Sequence, residues 1–296
     1  MSTNLPTELL RSLITVSDLG GYTKAAKVLN RSQPAISLQM RRLEEIVGKK
    51  LIVHDGKQIK FTEAGLKLST YARQILHLND DAIEQFRPSN LSGVIRIGLP
   101  TDYAVSYLQD VVLQFIKDHG NTQLEIYCDL STNLLSSLHS DQSHLIVALF
   151  SEDESQYLVR AWEERPVWAI AKDINLKRHG PIPIVGHFEN CEYRKRMANA
   201  LKSRERKWRL AYASPDISGV QRAVEAGFGV TALTGATLTP NMRRLTEVDG
   251  FPALEKIKIG LFYKLPRLTE AGRALANELI THIDLSTCEN FRRAPK

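Results

Sequence analysis

Cysteine is scarce in this chain: three in 296 residues, Cys128, Cys191 and Cys288, odd in number and far apart. That pattern excludes a disulfide framework and fits a reducing compartment. Cys191 has no cysteine near it in sequence, so no resolving partner for a redox switch is evident. No stretch approaches the roughly 18 consecutive apolar residues that a membrane-spanning helix needs. The start of the chain lacks a basic segment followed by an apolar one, so no secretory signal is expected and a cytoplasmic location is. There is no Gly-x-Ser-x-Gly elbow, no P-loop and no His/Cys cluster with metal-ligand spacing. Gly227-Phe228-Gly229 lacks the third glycine of a dinucleotide fingerprint. These absences argue against an enzyme, and no cofactor or metal is expected. The alternatives to be weighed are an α/β enzyme, or a small-molecule-binding protein with an incidental basic domain.

Basic charge is present and localised. The net charge is +6, and between Met1 and Phe61 ten Lys/Arg stand against five Asp/Glu. A basic first domain on a nearly neutral remainder suits a polyanion partner, although a solvated basic face gives the same count. Hydrophobic residues make up 43%, enough for cores, and the length suits two or three compact units.

The first 61 residues read as three helices and a hairpin. Leu9, Leu10, Leu13, Ile14 and Val16 recur near helical spacing, and Gly20-Gly21 stops that helix. Thr23 can cap a short second helix through Leu29. Ser32 can cap a third, with Pro34 in its first turn and Gly48 at its end. Leu51-Ile52-Val53 and Ile59-Lys60-Phe61 flank Asp55-Gly56, a hairpin signal. In the third helix Ile36, Met40, Leu43 and Val47 share one face, while Gln33, Ser37 and Arg41 follow i, i+4, i+8 along another. A helix lying in the major groove needs that division. Gln33 can read a base edge, Pro34 can touch a thymine methyl, Ser37 can bond to a base or phosphate, and Arg41 can reach guanine or the backbone. Lys24, Arg31 and Lys57 suit phosphate contacts, which position without specifying.

A helix follows from Thr62 to about Phe86. Its stripe of Gly65, Leu68, Ala72, Ile75, Ala82 and Phe86 needs a partner: a second copy of the helix, or another part of its own chain. After Ser92 the texture changes to strands (94–99, 124–128, 145–150, 167–171, 182–185, 230–233, 257–263). Helical segments alternate with them (103–117, 133–138, 193–202, 218–226, 269–281). That alternation implies parallel or mixed sheets covered by helices.

Residues 9–51 resemble the DNA-binding domain of LysR-type transcriptional regulators. The resemblance rests on Leu10, Arg11, Ala25-Ala26, Leu29, Ser32-Gln33-Pro34-Ala35, Ser37, Arg42-Leu43-Glu44, Gly48 and Leu51. Thr62-Glu63-Ala64-Gly65 and Tyr71-Ala72-Arg73 continue it. Gly93-Val94-Ile95-Arg96-Ile97-Gly98 and Ala226-Gly227-Phe228-Gly229 are similar to landmarks of the family's effector domain. Pro181–Val185, Trp208–Tyr212 and Asp249-Gly250 resemble the LrhA/HexA/PecT-like subgroup, which implies control of motility, surface attachment or virulence genes. Two positions depart from the pattern. Leu38 stands where many members carry Arg, and the wing's usual Phe-x-Arg appears as Ile52-Val53-His54, leaving His54 as a weaker phosphate contact.

The resemblance implies an α/β chain in three parts: a winged helix-turn-helix (1–61), a long linker helix (62–90) and a two-lobed, periplasmic-binding-protein-like effector domain (91–296). The first lobe is expected to comprise about 91–163 and 265–296, and the second about 164–264. It also implies homodimers or homotetramers on inverted-repeat double-stranded DNA, in the nucleoid when bound, acting as repressor or activator, with a small-molecule effector in the inter-lobe cleft. Pro100, Thr101 and Asp102 match cleft residues, and Asp102 would repel a carboxylate ligand. Ser131, Thr132, Phe150, His187 and Ser218 are further cleft candidates from strand ends.

Overall fold

The computed structural model describes residues 4–55, 58–84, 93–104, 108–151, 154, 156–175, 180–188 and 191–293. The first sixty residues form α1 (Thr7–Leu19), α2 (Tyr22–Val28) and α3 (Gln33–Val47), then a hairpin of β1 (Ile52–Asp55) and β2 (Gln58–Phe61). Local chemistry sets these boundaries. Gly48 takes left-handed backbone, φ 70°, where a side chain would be strained, and closes α3. Ser32 Oγ accepts from the Ala35 N–H at 3.3 Å and starts the same helix. The inward side chains Leu10, Leu13, Ile14, Ala25, Ile36, Met40 and Leu43 are buried in one core. The two strands pair antiparallel, with Ile52 opposite Phe61.

The long helix α4 (Glu63–Glu84) leaves the hairpin at close range. A Cβ on Gly65 would fall 2.1 Å from the Leu51 carbonyl oxygen, so only glycine permits this approach. The expected partner-seeking stripe of α4 divides in two. Gly65, Leu68 and Ala72 are buried within the same chain, as is Leu76 outside that stripe, and α4 packs chiefly against α1. Ile75 and Ala82 are exposed, and Phe86 lies outside the described residues. Arg73 of α4 also grips Asp18 of α1, both side chains buried.

The remainder of the chain forms two lobes. The elements of the first are β3 (Gly93–Pro100), α5 (Thr101–Tyr103), α6 (Gln109–Asp118), β4 (Thr122–Asp129), α7 (Ser131–His139), β5 (Leu145–Phe150) and β6 (Leu158–Glu164). The second holds β7 (Val167–Ala171), β8 (Ile182–Gly186), α8 (Glu192–Lys202), β9 (Trp208–Ala213), α9 (Ile217–Glu225), β10 (Thr231–Leu233) and β11 (Met242–Leu245). The chain then returns through β12 (Ile257–Tyr263) and α10 (Glu270–Arg293). The first sheet has the order β4-β3-β5-β12-β6, parallel from β4 to β5 and antiparallel around β12. The second lobe joins the antiparallel β10-β7-β11 to the parallel pair β8-β9 through a bridge between Ile184 and Val230.

One expected boundary is corrected. The sequence places Ile257–Tyr263 in the second lobe, but β12 inserts between β5 and β6, so the first lobe resumes at Ile257. A strand bonded on both sides cannot belong to another sheet. The expected helix 103–117 is met by α5 and α6, with π-helical backbone at Ala104 and Leu108 between them; residues 105–107 lie outside the described residues.

Candidate nucleic-acid interface and inter-lobe cleft

On α3 the core side is fixed by Ile36, Met40 and Leu43, so the 100° step per residue turns Pro34, Leu38 and Arg41 outward. Gln33, Pro34 and Arg41 are exposed, Ser37 is half-buried, and Leu38 is 67% exposed, close to the crest of the face. Gln39, by contrast, is committed inward. It accepts from Ser12 Oγ at 2.7 Å and donates to Glu8 at 2.7 Å, tying α3 to α1. Lys24 stands exposed on α2. Arg31 reaches Glu8 at 3.2 Å in an exposed ion pair, which adds little stability and is open to exchange for a phosphate. In the wing, His54 is described for its backbone alone, opposite Ile59, and Lys57 lies outside the described residues.

The wing is anchored to the recognition helix by Glu44. Its Oε1 accepts from the Leu51 N–H at 2.9 Å and the Ile52 N–H at 3.4 Å, and its Oε2 meets Lys50 at 2.8 Å. Burial alone would raise the Glu44 carboxyl, but these hydrogen bonds outweigh it and hold the group below the usual carboxylate range. The position was read from sequence only as part of the Arg42-Leu43-Glu44 resemblance. Its capping role depends on a turn at Gly48 that brings residue 51 back to residue 44.

Between the lobes a cleft of about 100 Å³ is lined by Pro100, Thr101, Asp102, Ser131, Thr132 and His187, six of the eight expected residues. Ser131 Oγ is already used, accepting from the Leu149 N–H at 2.9 Å. Phe150 does not line the cleft. It is buried on the other side of β5, 5.3 Å from the Phe262 ring in a T-shaped contact, because successive strand residues point to opposite faces. Its neighbour Leu149 takes the cleft side. Ser218 is exposed on α9 and also lies away from the cleft.

Tyr193 of α8 is the residue that sequence reading missed. Its hydroxyl donates to Asp102 Oδ2 at 2.6 Å, a direct link from the second lobe to the first. Burial pushes the Asp102 carboxyl up, against the opposing pull of Tyr193 and the nearby His187. Beside it Tyr103 O–H donates to Glu164 at 2.6 Å, and burial raises Glu164 as well. His187 Nδ1 donates to the Ser214 carbonyl at 3.0 Å, which fixes the ring at the cleft wall. Cys191 lines the same cleft, and burial pushes its thiol up, away from the reactive thiolate. Among the described residues no helix is long and apolar enough to cross a membrane.

Comparison with known proteins gives matches over nearly the whole chain. Residues 7–66 match "Bacterial regulatory helix-turn-helix protein, lysR family", and residues 88–284 match "LysR substrate binding domain". The HTH-type transcriptional regulator PecT of Dickeya dadantii is 26% identical over 284 residues, covering 96% of this chain and 88% of PecT. The HTH-type transcriptional regulator DgdR of Burkholderia cepacia is 27% identical, covering 93% and 94%. In fold, Vibrio fischeri DarR, solved in complex with DNA, is similar with a TM-score of 0.51 at 17% identity, covering 93% of this chain and 98% of DarR.

Proposed function

The chain belongs to the LysR family of DNA-binding transcriptional regulators, not enzymes, and from that premise we propose how its own residues carry the task. Gln33, Pro34, Ser37 and Arg41 read bases in the major groove, with Leu38 among them. Lys24 and Arg31, together with His54 and Lys57 in the wing, hold phosphates. The observation that carries this reading is the outward face of α3, which combines hydrogen-bonding, cationic and apolar side chains with no carboxylate before Glu45. Two copies related by a two-fold axis, joined through α4 and extended to a tetramer, place two such faces on an inverted repeat in the cytoplasm, at the nucleoid. A small molecule entering the inter-lobe cleft would compete for the Asp102–Tyr193 link and reset the angle between lobes. Genes for motility, surface attachment or virulence are the targets that the subgroup resemblance suggests.

The test is a DNA site selected from random duplexes, followed by binding measured across salt. Affinity falls steeply with salt for the wild type. Gln33→Ala lowers affinity for the selected site by about 1–3 kcal/mol while random DNA is little changed. Lys24→Ala weakens both alike and reduces the salt slope by about one. Equal losses on selected and random DNA for Gln33→Ala contradict the assignment.

A further inference from the structure

The helix α7 begins at the inter-lobe cleft with Ser131 and ends, at His139, beside a second cavity of about 250 Å³. This cavity is lined by Arg96, Asp141, Ser143, His144, Lys264 and Arg267, together with Leu138. Three permanent cations therefore face a single carboxylate, and that carboxylate is fully engaged. Asp141 Oδ1 meets Lys264 at 2.7 Å and Oδ2 meets Arg267 at 3.0 Å. Ser143 Oγ is occupied by Ser137 Oγ at 2.8 Å.

The hydrogen bonding of Arg96 and His144 leaves a gap. The Arg96 backbone N–H donates to His144 Nδ1 at 3.1 Å, so Nδ1 is the acceptor. Burial and the Arg96 guanidinium hold the His144 imidazole below its ordinary value, which keeps the ring neutral near pH 7 and puts its one proton on Nε2. Yet Arg96 Nη2 lies 3.2 Å from that same Nε2. A guanidinium donates only, so two donors face each other with no acceptor between them. The Arg96 Nε is buried and also has no hydrogen-bond partner. Buried donors in native proteins are nearly always paired. The nearby carboxylates do not fill this gap: Asp141 is held by Lys264 and Arg267, and Glu125 acts on the His144 ring only by its charge, opposing Arg96.

We propose that this cavity is a binding site for a small phosphate-class oxyanion, separate from the inter-lobe cleft. One oxygen accepts from His144 Nε2–H and from Arg96, while Lys264 and Arg267 supply the countercharge. The planar guanidinium suits such oxygens geometrically. The site also lies one side chain from the linker helix. Lys264 Nζ stands 5.1 Å from the centre of the Tyr157 ring, and Arg73 of α4 stands 5.5 Å from the same ring.

The test is calorimetric titration of the full chain with inorganic phosphate, without DNA, at constant ionic strength set by sodium chloride, and repeated with sulfate. A saturable one-site isotherm is expected with phosphate. Arg96→Gln should weaken it by about tenfold or more, the loss of charged hydrogen bonds. Arg267→Gln changes a half-exposed side chain, so it keeps the fold and decides the matter if Arg96→Gln does not fold. It should weaken binding severalfold. No saturable heat with either anion overturns the proposal. So does binding that neither variant weakens, or binding lost in Lys195→Gln alone, which would put the anion in the inter-lobe cleft.

Discussion

Asp102 shows how a single residue can be set against the stability of its fold. Its side chain is buried and accepts from the Tyr193 phenol. Because burial raises its carboxyl, the folded chain holds a proton at pH values where the unfolded chain, with a carboxyl near 3.9, has released it. The native state then binds more protons, so this residue's contribution falls as pH rises from about 4 upward through the raised folded value. Asp102→Asn removes the cost, since an amide oxygen still accepts from Tyr193. We expect its melting temperature to exceed that of the wild type by a few degrees at pH 7 and to converge with it near pH 4. A gap that is equal at both pH values would contradict the burial argument. Glu44 has the opposite sign. It is held low by backbone donors, so its contribution is present above the unfolded carboxyl value near 4.3 and is lost as pH falls through the lower folded one. Glu44→Ala leaves the Leu51 N–H without its acceptor and should cost about 1–2 kcal/mol in urea unfolding. The fraying should show as faster amide exchange at Leu51 and Ile52.

The elements that were legible in the sequence are those whose ends are written locally. Ser32 and Gly48 bound α3, and the hairpin signal is met by β1 and β2, which pair out to Asp55 opposite Gln58; Gly56 lies outside the described residues. The strands β6, β9 and β11 carry no such local signal, because pairing and not periodicity makes them. The segment Met242–Leu245 carries two central arginines and is a strand only because β7 offers it an edge. The same limit misplaced β12, whose partners β5 and β6 lie about 100 residues earlier. In the cleft, Thr101 and Ser131 were legible at a strand end and a helix start. Phe150 failed by one residue, since nothing local says which face of β5 is covered by Phe262. Tyr193 had no local signal at all; its role exists because the fold brings it 91 positions back to Asp102. The clasp between α1 and α4 is equally non-local. Asp18→Asn leaves Arg73 buried without its counter-ion, and we expect a loss of about 3–5 kcal/mol in urea unfolding. A change below 1 kcal/mol would mean that Tyr157, stacked under Arg73, is partner enough.

At the scale of the whole molecule, the question is what covers α4. Its first apolar face, Leu68, Ala72 and Leu76, is buried within the chain, where α4 packs against α1, β6, α10 and β2. A second face remains. Tyr71, Ile75 and Leu78 are 55%, 37% and 66% exposed, and Ala82 continues the row, at spacings of four, three and four. That is the spacing of a two-helix seam, and it is offset from the face that α1 occupies. A two-fold seam along α4 would bury both rows at once and set the two α3 helices on one side of a duplex. Because these side chains are partly or largely exposed in the single chain, glutamates there should leave the monomer folded while placing like charges across the seam. We therefore expect the Ile75→Glu/Leu78→Glu chain to keep the wild-type circular dichroism. Its scattering mass at micromolar concentration should fall to that of one chain, where the wild type gives at least two. Its affinity for a two-half-site duplex should drop toward that of a single half-site, since the second contact is then no longer intramolecular. A double variant that stays dimeric, with its fold intact, would place the subunit contact elsewhere and leave the Tyr71–Leu78 row to another partner.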